Sequence, residues 1–321
     1  MSGGWRPLVS VVLPTHDRPG RLAGALASVL AQRYDALEVI VVDDASRTPA
    51  GTVVERVAGD DRRVRLIETA RPCGAARARN AAIDACSGDL VAFLDDDDRW
   101  EPDKTARQVE FLEAHPDVGV VTCDHVVVDE RARHEVRYRG PAAFTAEQVQ
   151  WMNFPGSFSF VMVRRALVGD ELCLDERFPS VEDWDLWLRC LRRTRAGVVR
   201  QPLCRHVAHG EPRLSRPASE RQGHELFLAK HGPTLPPVCR SYLEAHLQMY
   251  EGSGWSHRGA VARAMVTRSP RASSLLLLEQ AARQAGRVLR DPGLVARTMA
   301  RAVGGDGRAG TGAGATAGAA A

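Results

Sequence analysis

The chain has 321 residues, 44% hydrophobic and 26% charged, which excludes wholesale disorder, a collagen-like repeat and a coiled-coil rod. Its 43 basic and 40 acidic side chains leave a formal charge of +3, too even a balance to call for a nucleic-acid partner. No run approaches the ~20 apolar residues of a membrane span, and the short apolar stretch Leu8–Leu13 after a polar start is not read as a signal peptide.

The first hundred residues alternate between two periodicities. Leu8–Leu13 is a β-branched strand ended by Pro14, and Arg21–Gln32 places Leu22, Leu26, Val29 and Leu30 at helical spacing. Leu37–Val42, Val64–Ile67 and Leu90–Leu94 read as further strands. Thr52–Ala58, Ala75–Ala85 and Pro102–Ala114 read as the helices that follow them. Such alternation predicts βαβ crossovers, and the uninterrupted apolar strands predict helices on both faces of a mainly parallel sheet.

Beyond Asp117 the spacing predicts strands at Val118–Thr122, His125–Val128, Phe158–Val163 and Val198–Cys204, with an amphipathic helix over Glu182–Arg193. An α/β domain over 1–218 is therefore expected. A helical region over 219–303 and a disordered glycine and alanine tail over 304–321 follow it. Seven scattered cysteines, none spaced as a metal knuckle or redox pair, point to reduced and mostly buried thiols and a cytoplasmic home.

In an open parallel sheet, ligands bind beyond the carboxyl ends of the strands. Strand one delivers Pro14-Thr15-His16-Asp17-Arg18 there, strand two Asp43-Asp44, and strand four Asp95-Asp96-Asp97-Asp98. Crowded carboxylates raise one another's pKa unless a cation is present. A hard divalent ion, Mg²⁺ or Mn²⁺, is the natural resolution. An Asp pair alone is more often a turn or cap. The four-aspartate run, however, follows Phe93-Leu94 directly and precedes Trp100-Glu101-Pro102, so it sits at a strand end and favours function. Gly74–Asn80 opens a helix whose free amides suit a phosphate, or is simply a glycine entering a helix with surface arginines.

The ordered series PTHDRPGRL, VIVVDDAS, GAARARNAAI, GDLVAFLDDDDRWEPDK and ERFPSVEDWDLWLRCL, over about residues 8–195, resembles the family 2 glycosyltransferases, which have the GT-A fold. Two departures stand out. His16-Asp17 replaces the family's usual Tyr-Asn, and Asp96 fills the variable middle of the aspartate motif.

The resemblance implies a nucleotide-sugar donor, commonly a UDP-sugar, a divalent metal (Mn²⁺ or Mg²⁺), and inversion at the anomeric carbon. It implies Asp97 first and Asp95 next as metal ligands, Asp96 facing the ribose or the ion, and Asp98 as structural. Asp44 resembles the aspartate that accepts the uracil N–H. Pro14 and Thr15 are expected to line base and ribose, and Asp17 either helps there or caps the next helix. Arg77 or Arg79 is expected to reach the diphosphate. Asp183 is the expected base with Glu182 in reserve, although acidic residues also favour a helix N-terminus through its dipole alone. Trp184 is read as an acceptor platform or core, and Trp187 as core. His206 and His209 follow the last strand as loop histidines, with His209 carried as an extra metal ligand. Arg205, Arg213 and Arg216 either close over the diphosphate or are surface charge.

The implied acceptor is a glycan, a lipid-linked saccharide or a small-molecule aglycone. Arginines such as Arg258 and Arg263 leave room for peripheral contact with the inner membrane face. Two other classes compete. One is a non-catalytic sugar-nucleotide or glycan-binding module. The other is a nucleotidyltransferase, which the missing glycine-rich basic loop after strand one argues against.

Overall fold

The computed structural model describes residues 5–129, 134–138, 144–208 and 217–251. His209, Arg213, Arg216, the C-terminal arginines and the 304–321 tail lie outside the described residues.

The first half runs β1 (Val9–Thr15), α1 (Pro19–Leu30), β2 (Leu37–Asp43), α2 (Gly51–Ala58), β3 (Val64–Glu68), α3 (Ala75–Ala85) and β4 (Leu90–Phe93). There follow β5 (Arg99–Trp100), α4 (Lys104–Ala114), β6 (Val118–Asp129), β7 (His134–Tyr138), α5 (Ala146–Val149), β8 (Met162–Arg164) and α6 (Arg165–Val168). The described residues end with α7 (Glu182–Leu191), β9 (Arg195–Ala208), α8 (Pro217–His231) and α9 (Pro237–Glu251).

One sheet carries the fold, in the order β3-β2-β1-β4-β8-β6-β9-β5, with β7 pairing β6. β1 to β4 pair in parallel, as the alternation predicts. The later strands make the sheet mixed: β8 is antiparallel to both β4 and β6, whereas β9 is parallel to β6. Val9, Val11, Val12, Leu13, Leu90, Val91 and Phe93 are fully buried, as strands covered on both faces must be. α1 covers them with Leu22, Ala25, Leu26 and Val29, a stripe at helical spacing. Each such apolar side chain is worth roughly 1.5–3 kcal/mol when fully removed from water.

Four differences from the sequence reading have physical causes. β6 is one strand, because Cys123-Asp124 forms an irregularity in the register with β9 rather than a turn. The segment Phe158–Phe160 is a single 3-10 turn, its start held by the Ser157 side chain, so the strand begins only at Met162. β9 extends to Ala208, which puts His206 in the sheet and not in a loop. Arg205 is likewise a strand residue, paired with Arg99 of the two-residue β5.

α8, α9 and the link between them contribute Phe227, Leu235, Cys239, Tyr242 and Leu243 to the same apolar core as the sheet. The cysteines are all free thiols, and Cys86, Cys123, Cys190, Cys204 and Cys239 are buried. Among the described residues no helix is long and apolar enough to cross a membrane.

Candidate active site

The carboxyl ends of β1, β2 and β4 meet the N-terminus of α7 along one rim of the sheet. Arg79 of α3 joins two of these elements directly. It is 5% exposed, and its guanidinium donates to Asp95 Oδ1 at 2.6 Å and to Glu182 Oε1 at 3.2 Å. Its flat face lies 4.0 Å above the Phe158 ring. Burial works against this charge, but Asp95 and Glu182 outweigh it and raise the Arg79 pKa. Arg77, two residues earlier, is exposed.

Each member of the aspartate run has its own partner. Asp96 accepts from Thr15 Oγ1 at 2.8 Å, and Arg18 Nη1 reaches both Asp96 (3.2 Å) and Asp97 (3.1 Å). Asp98 is fully buried and accepts from the Val207 amide, with His206 Nδ1 3.1 Å away. Asp95 also accepts from Ser157 Oγ, and its amide donates to Ser159 Oγ. Burial raises Asp95, with Asp97 and Asp98 adding to the push and Arg79 opposing it. Burial likewise lifts Asp96 to about 6, against the pull of Arg18 and Thr15. Arg18 and Arg79 thus supply positive charge that crowding alone had suggested a metal must provide.

Asp95 and Asp97 remain hard oxygen donors at this rim. Among the described residues no group of three His, Cys, Asp or Glu side chains converges as a ligand set. Two carboxylates fit a Mg²⁺ or Mn²⁺ ion whose other ligands are phosphate oxygens and water, not one caged by protein alone.

At the end of β2, Asp43 and Asp44 separate in role. Asp43 is buried and holds the turn, accepting from the amides of Ser46 and Ala50. Asp44 accepts from the amides of Cys73 (2.7 Å) and Gly74 (2.8 Å) and from Thr69 Oγ1 (3.2 Å). Burial acts to raise its pKa, and these donors together more than reverse the effect. The Cys73 side chain bonds this carboxylate as well, so its roughly four acceptor positions all have partners within the protein. Asp17 takes a left-handed backbone (φ 53°) and binds the amide and Nε of Arg47. The N-cap of α1 is Arg18, so capping is not the task of Asp17.

α7 starts from Val181, a β-branched residue at φ 58°, a backbone region such residues rarely adopt. Asp183 accepts from Asn153 Nδ2 (2.9 Å) and from the Trp184 amide (2.7 Å). Gly156 N–H donates to Asn153 Oδ1, which fixes the amide so that its NH₂ faces Asp183. Burial first, then the adjacent Glu182, push the Asp183 pKa up to about 7, with Trp184, Asn153 and Arg79 pulling the other way. Trp184 is core, not a platform: it stacks on Phe227 with centroids 4.3 Å apart, and its indole N–H binds Val149 O. Trp187 is fully buried, as expected, with its N–H on Gly156 O.

Pro14, Thr15, Asp44, Arg79, Asp95, Asp96, Asp97, Glu182 and Asp183 therefore come from separated stretches to one rim. The sequence reading missed Asn153, Arg18 and the serines of the Phe158 turn. Only Arg18 had a signal, its place directly after strand one.

The family model described as Glycosyl transferase family 2 matches residues 10–170. The putative teichuronic acid biosynthesis glycosyltransferase TuaG of Bacillus subtilis is 37% identical over 108 residues, 34% of this chain and 43% of that protein. The chain thus spans less than half of that relative's length. Among solved structures, S. aureus TarS in complex with UDP-GlcNAc superposes with a TM-score of 0.62 at 18% identity, covering 91% of this chain and 88% of that one. A mannosyltransferase from Pyrobaculum calidifontis in complex with GDP-Man and Mn²⁺ gives 0.58 at 21%, covering 93% and 85%.

Proposed function

The chain belongs to glycosyl transferase family 2, and on that premise we propose that it moves a sugar from a UDP-sugar to an acceptor hydroxyl with inversion, assisted by a divalent ion. The observation that supports this reading is the bridging by Arg79 of Asp95 and Glu182, the latter next to Asp183 in the chain, along the rim that carries the carboxylate run.

Asp44 accepts the N–H of the uracil in place of the Cys73 thiol, the weakest of its donors. Pro14 and Thr15 flank base and ribose at the end of β1. The exposed Arg77 meets the diphosphate at the opening of α3, while Arg79 holds the carboxylates in register. Asp97 and Asp95 would hold a Mn²⁺ or Mg²⁺ ion, which would offset the charge growing on the departing phosphate. Asp183 takes the proton of the acceptor hydroxyl as that oxygen bonds to the anomeric carbon and the bond to the diphosphate breaks on the opposite face. A carboxylate raised to about 7 is well matched to that task at neutral pH. The teichuronic acid biosynthesis role of the Bacillus subtilis relative favours a glycoconjugate acceptor.

The test is a thermal-shift panel of UDP-, dTDP- and GDP-sugars with and without Mn²⁺, since a ligand bound only by the folded state raises its apparent stability. A UDP-sugar is expected to raise Tm most, and more so with Mn²⁺. No shift with any nucleotide sugar would remove the donor reading.

A further inference from the structure

We propose that α8 is a positioning element for Asp183, holding the strained turn at Val181 from which the candidate base projects; this rests on the reading of Asp183 as base. Three contacts at successive turns of α8 carry it. The first is a close backbone approach at Gly223. A side-chain carbon placed there would overlap the carbonyl oxygen of Ser180 and come within 2.8 Å of Val181 Cγ2. α8 therefore lies directly against the peptide that enters α7. The second is the stacking of Phe227 on Trp184, next to Asp183 in the chain. In the third, the fully buried Asp185 carboxylate meets Lys230 Nζ at 2.8 Å and His231 Nε2 at 2.8 Å.

These contacts address a real mechanical need. A valine in the left-handed region persists only when its surroundings hold it there, and Val181 makes no side-chain cap for α7. Released, the turn would relax toward an ordinary conformation and swing Asp183 away from Asn153 and Arg79. Gly223, Phe227 and Lys230 meet Ser180, Trp184 and Asp185, all at or next to the start of α7. They act through α7, so they are positioning residues.

Two variants of the full chain test this. Gly223→Ala wedges α8 away from Ser180, and Phe227→Leu removes the ring that stacks on Trp184 while keeping an apolar side chain there. Each is read in two ways. The first reading compares UDP release from the UDP-sugar with UDP affinity by calorimetry. The expected result is a fall in kcat of about tenfold or more, UDP affinity within twofold, and a displaced acid limb of the pH profile. That limb reports Asp183 as faced by Glu182 and Arg79.

The second reading is amide hydrogen exchange over residues 180–188 without nucleotide, where both variants are expected to exchange about tenfold faster. If Gly223→Ala does not fold, Phe227→Leu decides. Unchanged turnover and exchange in Phe227→Leu would overturn the proposal, as would parallel losses of UDP affinity and kcat. Failure of the donor reading looks different: the unsubstituted protein itself would then bind no UDP, and the exchange measurement would still decide the role of α8.

Discussion

Asp183→Asn separates a base from a structural carboxylate, because the two roles move stability in opposite directions. Burial and Glu182 raise Asp183 from an ordinary 3.8 to about 7, so the native state keeps a proton that the unfolded chain releases. Such a group stabilises the fold fully below about pH 4, and that contribution is lost as pH rises through 7. The gap of about 3 pH units corresponds to a ceiling of about 4 kcal/mol at pH 8, roughly halved by partial solvent access. The substituted amide escapes this cost. It still accepts from the Trp184 N–H but turns an NH₂ toward the NH₂ of Asn153, losing about 1 kcal/mol.

The net expectation is a variant about 1 kcal/mol more stable than the unsubstituted protein at pH 8 and slightly less stable at pH 5, measured by urea denaturation. Turnover should fall by about 10²–10⁴, with UDP affinity retained. Equal stability differences at the two pH values would refute the electrostatic argument, and retained turnover would refute the base assignment.

Arg79→Met leaves Asp95 and Glu182 without their shared cation. We expect a loss of about 3–5 kcal/mol at pH 8 by urea denaturation, and a loss below 1 kcal/mol would contradict the bridging role. Asn153→Ala removes a donor to the charged form of Asp183, so the acid limb of kcat should move up by about one pH unit; an unmoved limb would show that Asn153 does not tune the base. Lys104 is fully buried over the Trp100 ring, and burial lowers its pKa to about 8. Its native contribution is therefore present above about pH 10.5 and lost as pH falls through 8. Relative to the unsubstituted protein, Lys104→Met should be about 3 kcal/mol better at pH 7 than at pH 10.5 by chemical denaturation.

The parallel half of the sheet was legible because each strand and helix there announces itself through local periodicity. Val9–Thr15 and Leu37–Asp43 lie within a residue or two of their expected bounds. β5 was not legible, since two residues paired with Cys204 and Arg205 have no period of their own. The joining of His125–Val128 to the preceding strand depends on β9, some eighty residues away in sequence. The same division runs through the site. Asp44, Asp95–Asp98 and Asp183 sit at strand or helix ends that the chain itself marks. Asn153 and Arg18 act through contacts set only by the folded shape. The choice between Arg77 and Arg79 likewise waited on geometry, because a two-residue spacing puts them on roughly opposite sides of α3 without saying which side meets Asp95 and Glu182.

The place of β9 in the sheet has a consequence for synthesis. It lies between β6 and β5, and its Val207 amide holds Asp98, a residue made more than a hundred positions earlier. A nascent chain can lay down β1 to β4 as they emerge from the ribosome, but Asp98 stays unclamped until β9 slots into an interior position. Translation halted near residue 190 would leave an open edge at β6 and a carboxylate without the amide that receives it, a species suited to chaperones rather than to nucleotide sugars.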